Sequence, residues 1–268
     1  MQPIWRVIDT GPLPGLANMA IDEALLDCFA GDGSHPILRL YGWQPAALSL
    51  GRFQAAEAVL DRQRCVKAGV TVVRRITGGG VIFHADELTY SLVCTPDQIP
   101  PAPTVKGSFF VLTSFLLSFY HRLGLSAQFA EQCAPSGSHL GQRTDLCFAG
   151  RESADILVHG RKIGGNAQRR RKGVIFQHGS IPLIDRAATG GPFLAQPVDL
   201  AGVVTSLADE GVGSGRDELV ALLCQAFADT LAAGVTVSSL TVAEEERAAE
   251  LLAHKYETDA WNWRGEGG

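Results

Sequence analysis

The chain is expected to fold as an α+β sheet domain, and three observations carry that expectation. Short β-branched runs such as Val70-Thr71-Val72-Val73 and Val174-Ile175-Phe176 are separated by longer stretches with helical periodicity, above all residues 105–123. The gaps between successive strand-like runs are mostly those of hairpins. Finally, 46% of the 268 residues are apolar, ample for a real core at a length that fits one domain spanning residues 1–268.

Taken in order, Asn18 is placed to cap a helix running to about Phe29, with Asp22 and Glu23 near its positive end and Gly31 as its stop. Residues 37–41 and 48–50 read as strands flanking a Gly42-Trp43-Gln44-Pro45 turn, and residues 55–68 as a helix ended by Gly69. A β-branched strand at 70–75 then runs directly into Thr77-Gly78-Gly79-Gly80. Residues 88–94 read as a strand, and a linker with Pro100, Pro101 and Pro103 precedes the 105–123 helix, whose Phe109, Phe110, Leu112, Phe115, Leu116 and Phe119 form a core face. Residues 133–143, rich in Gly, Ser and Pro, are expected to be a mobile loop leading towards Cys147, and residues 189–197 another loop. Ile156 and Val158 alternate with polar neighbours up to the tight-turn pair His159-Gly160, so Lys162 opens a return strand. Residues 174–181 read as a third, largely buried strand. Ser214 with Asp217 caps a helix through 232, residues 235–240 form a strand, and Thr241 with Glu244 is a capping box for the last helix.

Composition excludes several classes of function. A net charge of −5 argues against nucleic acid as the main partner, because phosphate binding requires a surplus of Lys and Arg on one face. The longest uncharged apolar stretch, residues 107–120, is too short for a bilayer span of about 20 residues, so no membrane partner and a soluble, cytoplasmic protein are expected. The six cysteines form no CxxC pair and no compact spacing with histidine, which indicates reduced thiols and neither a disulfide framework nor a metal site.

The chemistry-bearing residues gather between 145 and 184, with one outlying stretch. Cys147 is either a small buried apolar residue or a nucleophile. Lys162, between a turn and Gly164-Gly165, is either a solvated turn residue or a cation aimed at a ligand, and the glycines leave space for a ligand tail. His178 is either a satisfied strand histidine or a catalyst. Gly78-Gly79-Gly80 is a bulge or an anion-facing loop, with Arg74 and Arg75 beside it as partners for a phosphate or carboxylate, one of which could instead line a solvated face. It is not a Walker loop, since no Gly-Lys-Ser/Thr follows. The basic run Arg169 to Lys172 reads as a solvated turn, or as a patch for an acidic carrier or a phosphate.

Several stretches together resemble the biotin and lipoate protein ligase superfamily, in its lipoate ligase and octanoyltransferase branch. They are Asn18-Met19-Ala20-Ile21-Asp22-Glu23-Ala24, Leu38 to Trp43, Ser49 to Gln54, Arg74 to Gly80 with His84, Gly160-Arg161-Lys162-Ile163 with Asn166-Ala167-Gln168, and Lys255-Tyr256 with Trp261-Asn262, in the family's order. The resemblance implies a central mixed, mostly antiparallel sheet flanked by helices, with a medium-chain acyl group lying beside the glycine loop. It also implies that Lys162 contacts the acyl carbonyl oxygen. A Cys-Phe pair fifteen residues ahead of Lys162 is similar to the cysteine-dependent octanoyltransferases rather than to the ATP-dependent ligases, which usually carry Asn-Asp there.

The resemblance thus implies an enzyme that takes octanoate, or alternatively lipoate, from an acyl carrier protein as a Cys147 thioester and passes it to the lysine of a lipoyl domain, as in a glycine cleavage H protein or a dehydrogenase E2. Cys147 and Lys162 would be catalytic. Arg75, Thr77, Gly78, Gly79, Gly80, His84, Gly164, Gly165, Asn166, Ala167 and His178 would bind substrate, with no metal and no cofactor. The first alternative is a ligase using ATP and Mg; a non-catalytic lipoate-binding protein is the second. The chain's end soon after Trp261-Asn262 suggests that the accessory domain of many ligases is lacking. Gly165-Asn166 departs from the family's more usual Gly-Ser, and Pro182 from an aliphatic residue.

Overall fold

The computed structural model describes residues 2–31, 33–133, 152–196, 198 and 202–267. Among these, twelve strands form three sheets. In chain order the strands are β1 (Ile4–Leu13), β2 (Ile37–Trp43), β3 (Ala47–Leu50), β4 (Thr71–Arg74), β5 (Ile82–His84), β6 (Glu87–Cys94), β7 (Ala127–Phe129), β8 (Ile156–Val158), β9 (Arg161–Lys162), β10 (Gly165–Arg171), β11 (Val174–Pro182) and β12 (Gly234–Val237). The largest sheet has the order β10-β11-β6-β2-β1-β12. Its first three pairings are antiparallel, whereas β1 lies parallel to both β2 and β12. A smaller sheet, β4-β3-β5, leans on it, and β7-β8-β9 is an antiparallel ladder. This is the α+β architecture with a central mixed sheet and flanking helices.

Strand alternation divides the interior. On β2, Leu38 and Leu40 face one core, with Phe115 and Phe119 of the helix Val105–Arg122 and Phe227 of the helix Arg216–Thr230. Ile37 and Tyr41 face the other, with Leu25 of the helix Gly15–Cys28, Leu251 of the helix Val242–Leu251, and Trp261. The small sheet packs Leu48, Leu50 and Val72 against Ala56 and Val59.

Several elements differ from the sequence expectation for identifiable reasons. β1 carries Arg6, Asp9, Gly11 and Pro12, which break the alternation that marks a strand, and its register shifts between Asp9 and Gly11. The first helix begins one turn earlier than Asn18, directly after Pro14; Asn18 instead donates from its side chain to the carbonyls of Leu13 and Gly42. The expected helix at 55–68 is two, Ala56–Val59 and Arg62–Ala68, because Leu60 bridges to Leu194 and Asp61 caps the second by accepting from Arg64. Ser214 caps nothing: the helix Arg216–Thr230 starts after Gly215, with no side-chain cap. The loop expected at 189–197 begins inside the short helix Ala187–Gly190 and continues through a 3-10 turn, Gly191–Phe193. The capping box of Thr241 and Glu244 is present as expected. Among the described residues no helix is long and apolar enough to cross a membrane.

Candidate active site

A cavity of about 920 Å³ lies where the large and small sheets meet, bordered by the first turns of the helix Val105–Arg122 and by residues 152–155. Met19, Trp43, Val59, Ile82, Phe109 and Phe110 give it an apolar wall. Of the residues expected from the sequence to form a site, Arg75, Gly78, Gly79, Gly80, His84, Lys162, Gly165, Asn166, Ala167 and His178 all line it. Thr77 and Gly164 do not: Thr77 reaches the cavity only through His178, and Gly164 is packed so closely on Ser180 that a Cβ would lie 2.0 Å from the Ser180 carbonyl oxygen. The glycine at 164 therefore serves strand packing rather than a ligand tail. Cys147 and most of the 133–143 loop lie outside the described residues.

The hairpin of β8 and β9 presents Lys162. His159 and Gly160 have φ of 49° and 76°, the left-handed pair that a two-residue turn of this hand requires. Glu210 holds the hairpin from outside, accepting from Arg161 at 2.9 Å and from Thr205 at 2.7 Å. The Lys162 amide donates to Val203, and its carbonyl accepts from Thr205, each at 2.9 Å. The side chain is buried, and its ammonium lies 2.7 Å from the carboxylate of Asp155, also buried. Asp155 accepts a further bond from the Glu152 amide at 2.7 Å. Burial, with Asp155 beside it, pushes the Glu152 carboxyl up, against the opposing pull of Lys162.

The glycine loop is shaped from within by Arg75. Its guanidinium donates to the carbonyls of Gly78 (2.9 Å), Gly80 (2.7 Å) and Ser49 (3.0 Å), and to the Ser49 hydroxyl (3.0 Å). The cation thus folds the loop by binding its carbonyl oxygens. Gly51 closes the loop from below: a Cβ there would lie 1.9 Å from the Gly79 carbonyl oxygen. Arg74, expected either at the anion or on a solvated face, is at neither; it is buried and donates to the carbonyls of Trp261, Gly51 and Gln54.

Two histidines are held by buried carboxylates. His84 stacks on Trp43 with ring centroids 3.8 Å apart, and its two nitrogens lie 2.7 Å from the Ser49 hydroxyl and 2.8 Å from Glu87. Burial would push the Glu87 carboxyl up, but His84, Thr89 and Ser180 outweigh it and hold it below the usual carboxylate range. His178 lies 2.6 Å from Thr77 Oγ1 on one side and 3.7 Å from Asp22 on the other. Burial depresses the His178 imidazole despite the pull of Asp22, and Arg75 and His84 add to the depression. Asp22 is itself buried, which would raise it, yet Arg39, His178 and Ser91 hold it low. Asn166 accepts a 2.7 Å bond from the Tyr90 hydroxyl.

The basic run is not a turn. Arg169, Arg170 and Arg171 are on the edge strand β10, bound to the Ile76 carbonyl, the Ser108 hydroxyl and Asp27, and the turn is Lys172-Gly173. Asp155, Glu87, Asp22, Trp43 and Ser49 are not among the site residues expected from the sequence. For Asp155 a signal exists: counting back from the His159-Gly160 turn pairs Leu157 with Lys162, so Asp155 falls on the same face of the ladder.

A buried lysine, a glycine loop bound by a buried arginine, and an apolar wall, gathered in one cavity on a mixed sheet, are the parts that an acyl-handling site needs. The chain belongs to the family described as lipoyl protein ligase A/B catalytic domain, whose model matches residues 14–233. It is 34% identical to an octanoyltransferase LipM from Exiguobacterium sp., over 97% of this chain and 98% of that one. It is 36% identical to the octanoyltransferase LipM of Symbiobacterium thermophilum, over 98% and 100%. Among solved structures, a lipoate-protein ligase A bound with ATP matches with a TM-score of 0.81 at 25% identity, covering 98% of this chain and 99% of that one. The putative lipoate protein ligase Ta0514 from T. acidophilum with bound lipoic acid matches at 0.79 and 25%, over 98% and 100%.

Proposed function

We propose that this chain is an octanoyltransferase of protein lipoylation that works through a covalent thioester on Cys147. The observation that carries the acyl-transfer reading is Lys162, a buried cation held at the wall of the cavity within bonding distance of Asp155. The near full-length similarity to octanoyltransferases favours transfer over ligation. In the first half-reaction the Cys147 thiolate sulfur attacks the octanoyl carbonyl of the carrier thioester; a new C–S bond forms, the carrier's C–S bond breaks, and the carrier thiolate leaves and takes up a proton. Lys162 offsets the negative charge that develops on the carbonyl oxygen. In the second, the uncharged ε-amine of a lipoyl-domain lysine attacks the acyl-enzyme, the amide C–N bond forms, Cys147 departs as thiolate, and the amine nitrogen loses its proton.

The partners are an acyl carrier and a lipoyl-domain protein, the latter a glycine cleavage H protein or a dehydrogenase E2. Passing an acyl group from a thioester to an amine is downhill, so neither ATP nor Mg enters the reaction. His84 and His178, tied to Glu87 and Asp22, shape the cavity with Arg75, the glycine loop and Asn166, and the acyl chain lies along the apolar wall.

Octanoyl carrier protein alone should add the mass of one octanoyl group to the chain. That label should vanish on thiol alkylation or in Cys147→Ser, and should chase onto a lipoyl domain without nucleotide. The similarity to a ligase bound with ATP supplies the opposing outcome. Modification of the lipoyl domain only from free octanoate or lipoate with ATP and Mg, with Cys147→Ala fully active, would overturn the transferase reading.

A further inference from the structure

We infer that Asp155 is a positioning residue for acyl transfer, its carboxylate fixing the Lys162 ammonium at the cavity wall and keeping it protonated through the reaction. The inference rests on the reading that Lys162 polarises the acyl carbonyl. The pair is 2.7 Å apart, with side chains only 2% and 4% exposed. Desolvating two charges is costly enough that such pairs are often no better for stability than apolar residues of the same volume. The hairpin does not need it: the His159-Gly160 turn, the Glu210 bonds and the backbone bonds of Lys162 to residues 203 and 205 already fix the strands. What they leave unfixed is the far end of a four-carbon side chain, and Asp155 acts there.

The carboxylate is itself held. Its Oδ2 accepts from the Glu152 amide at 2.7 Å, and the Asp155 backbone carbonyl accepts from Ala130 at the same distance. A mobile acid would follow the lysine; one bound on two sides dictates where the ammonium sits. Among the described residues, the other ionisable groups lining the cavity are Tyr41, Arg75, His84, Lys106, Glu152 and His178. The nearby buried acids Asp22 and Glu87 are engaged elsewhere, Asp22 with Arg39 and His178, and Glu87 with His84, Thr89 and Ser180. Burial and the neighbouring Asp155 push the Glu152 carboxyl up against the pull of Lys162, and it is the Asp155 carboxylate that lies 2.7 Å from the Lys162 ammonium.

The test compares Asp155→Asn, Asp155→Glu and Lys162→Ala by saturating transfer rate, KM for octanoyl carrier protein, pH–rate profile and thermal melt. Asp155→Asn keeps the shape but removes the charge. It should lower the saturating rate about a hundredfold with KM little changed. It should also move the alkaline limb of the profile to lower pH, because an ammonium without its carboxylate gives up its proton more readily. Asp155→Glu keeps the charge but displaces it by one methylene; the limb should return to its wild-type position while the rate stays about tenfold low. An unmoved limb and a near wild-type rate in Asp155→Asn, with Lys162→Ala inactive, would overturn the inference and leave the role of Lys162 standing. Should Asp155→Asn fail to fold, a full rate in Asp155→Glu would overturn it equally. A fully active Lys162→Ala would instead overturn the reading on which the inference rests.

Discussion

Arg74 and Arg75 are adjacent, both buried and both bound chiefly to carbonyl oxygens, yet they serve different parts of the molecule. Arg74 ties Trp261 to residues 51–54, and the clasp is returned: the Trp261 indole donates to the Arg74 carbonyl at 2.8 Å, and the Arg74 amide donates to the Asn262 side chain at 3.0 Å. Arg75 binds Ser49, Gly78 and Gly80, all at the cavity wall, whereas of the residues that accept from the Arg74 guanidinium only Gln54 borders the cavity. Neither charge nor burial nor hydrogen-bond number separates a structural arginine from one that shapes a site. The destination of the donors does.

The largest effect should come from outside the pair and set its scale. Lys162→Ala should lose about 2.7–4 kcal/mol of transition-state stabilisation, roughly 10²–10³ in rate, with its fold intact by circular dichroism. Arginine at 162 should rescue poorly, because a planar fork does not reproduce a point charge. Arg75→Lys should come next: a glycine loop displaced by even about 1 Å can cost on the order of 10² in kcat/KM. Arg74→Lys should show the reverse pattern. Leaving buried carbonyls unbound costs about 1–3 kcal/mol each, so its melting temperature should fall by roughly 5–10 °C while transfer per folded molecule is unchanged. If both variants lost activity and stability in the same proportion, the contrast between the two arginines would be broken.

Smaller effects sharpen the same contrast. Tyr256→Phe removes a 2.6 Å bond to Glu23 on the clasp side and should cost about 1 kcal/mol of stability in urea unfolding, with no change in KM. On the cavity side, pH is the probe. Asp22 and Glu87 are held below the usual carboxylate range when folded, so the stability they contribute is present above their unfolded values, near pH 4, and is lost as pH falls through the folded ones. His178, depressed by burial, acts in the same direction at higher pH: the unfolded chain gains its proton first, so stability should begin to decline below about pH 6.5. A His178→Gln variant should lose that upper part of the decline in melts taken between pH 7 and 5.

Much of this is legible in the order of the residues alone. The His159-Gly160 turn fixes the register of Lys162, the Thr241 capping box opens its helix, and the period of Phe109 to Phe119 marks a core face. The glycine loop is visible as a place where no ladder can run. What escapes are groups whose meaning depends on distant partners. Arg74 and Arg75 look alike in sequence because their acceptors lie 187 residues away or on a neighbouring strand. Glu87 is the one acid of β6 and Asp22 one of three acids in the first helix, and nothing singles them out until folding brings His84 and His178 beside them. Arg169 to Arg171 read as solvated because four basic residues in a row suit a turn, whereas an edge strand exposes one flank to which long side chains can escape. β1 is hidden by its own charges. Asp155 lies within reach of simple counting from the turn.

The clasp also has a consequence for how the protein is made. Lys255 and Tyr256 bind Glu23 across 232 and 233 residues, Trp261 meets Arg74 across 187, and β12 pairs with β1. On a ribosome emitting the chain from its N-terminus at about 5–20 residues per second, the first helix and β4 therefore wait tens of seconds for their last partners. Throughout that interval Arg74 can already hold residues 51–54, but it lacks the Trp261 carbonyl and indole that complete the clasp. Closure of the clasp is in this sense a late event of synthesis.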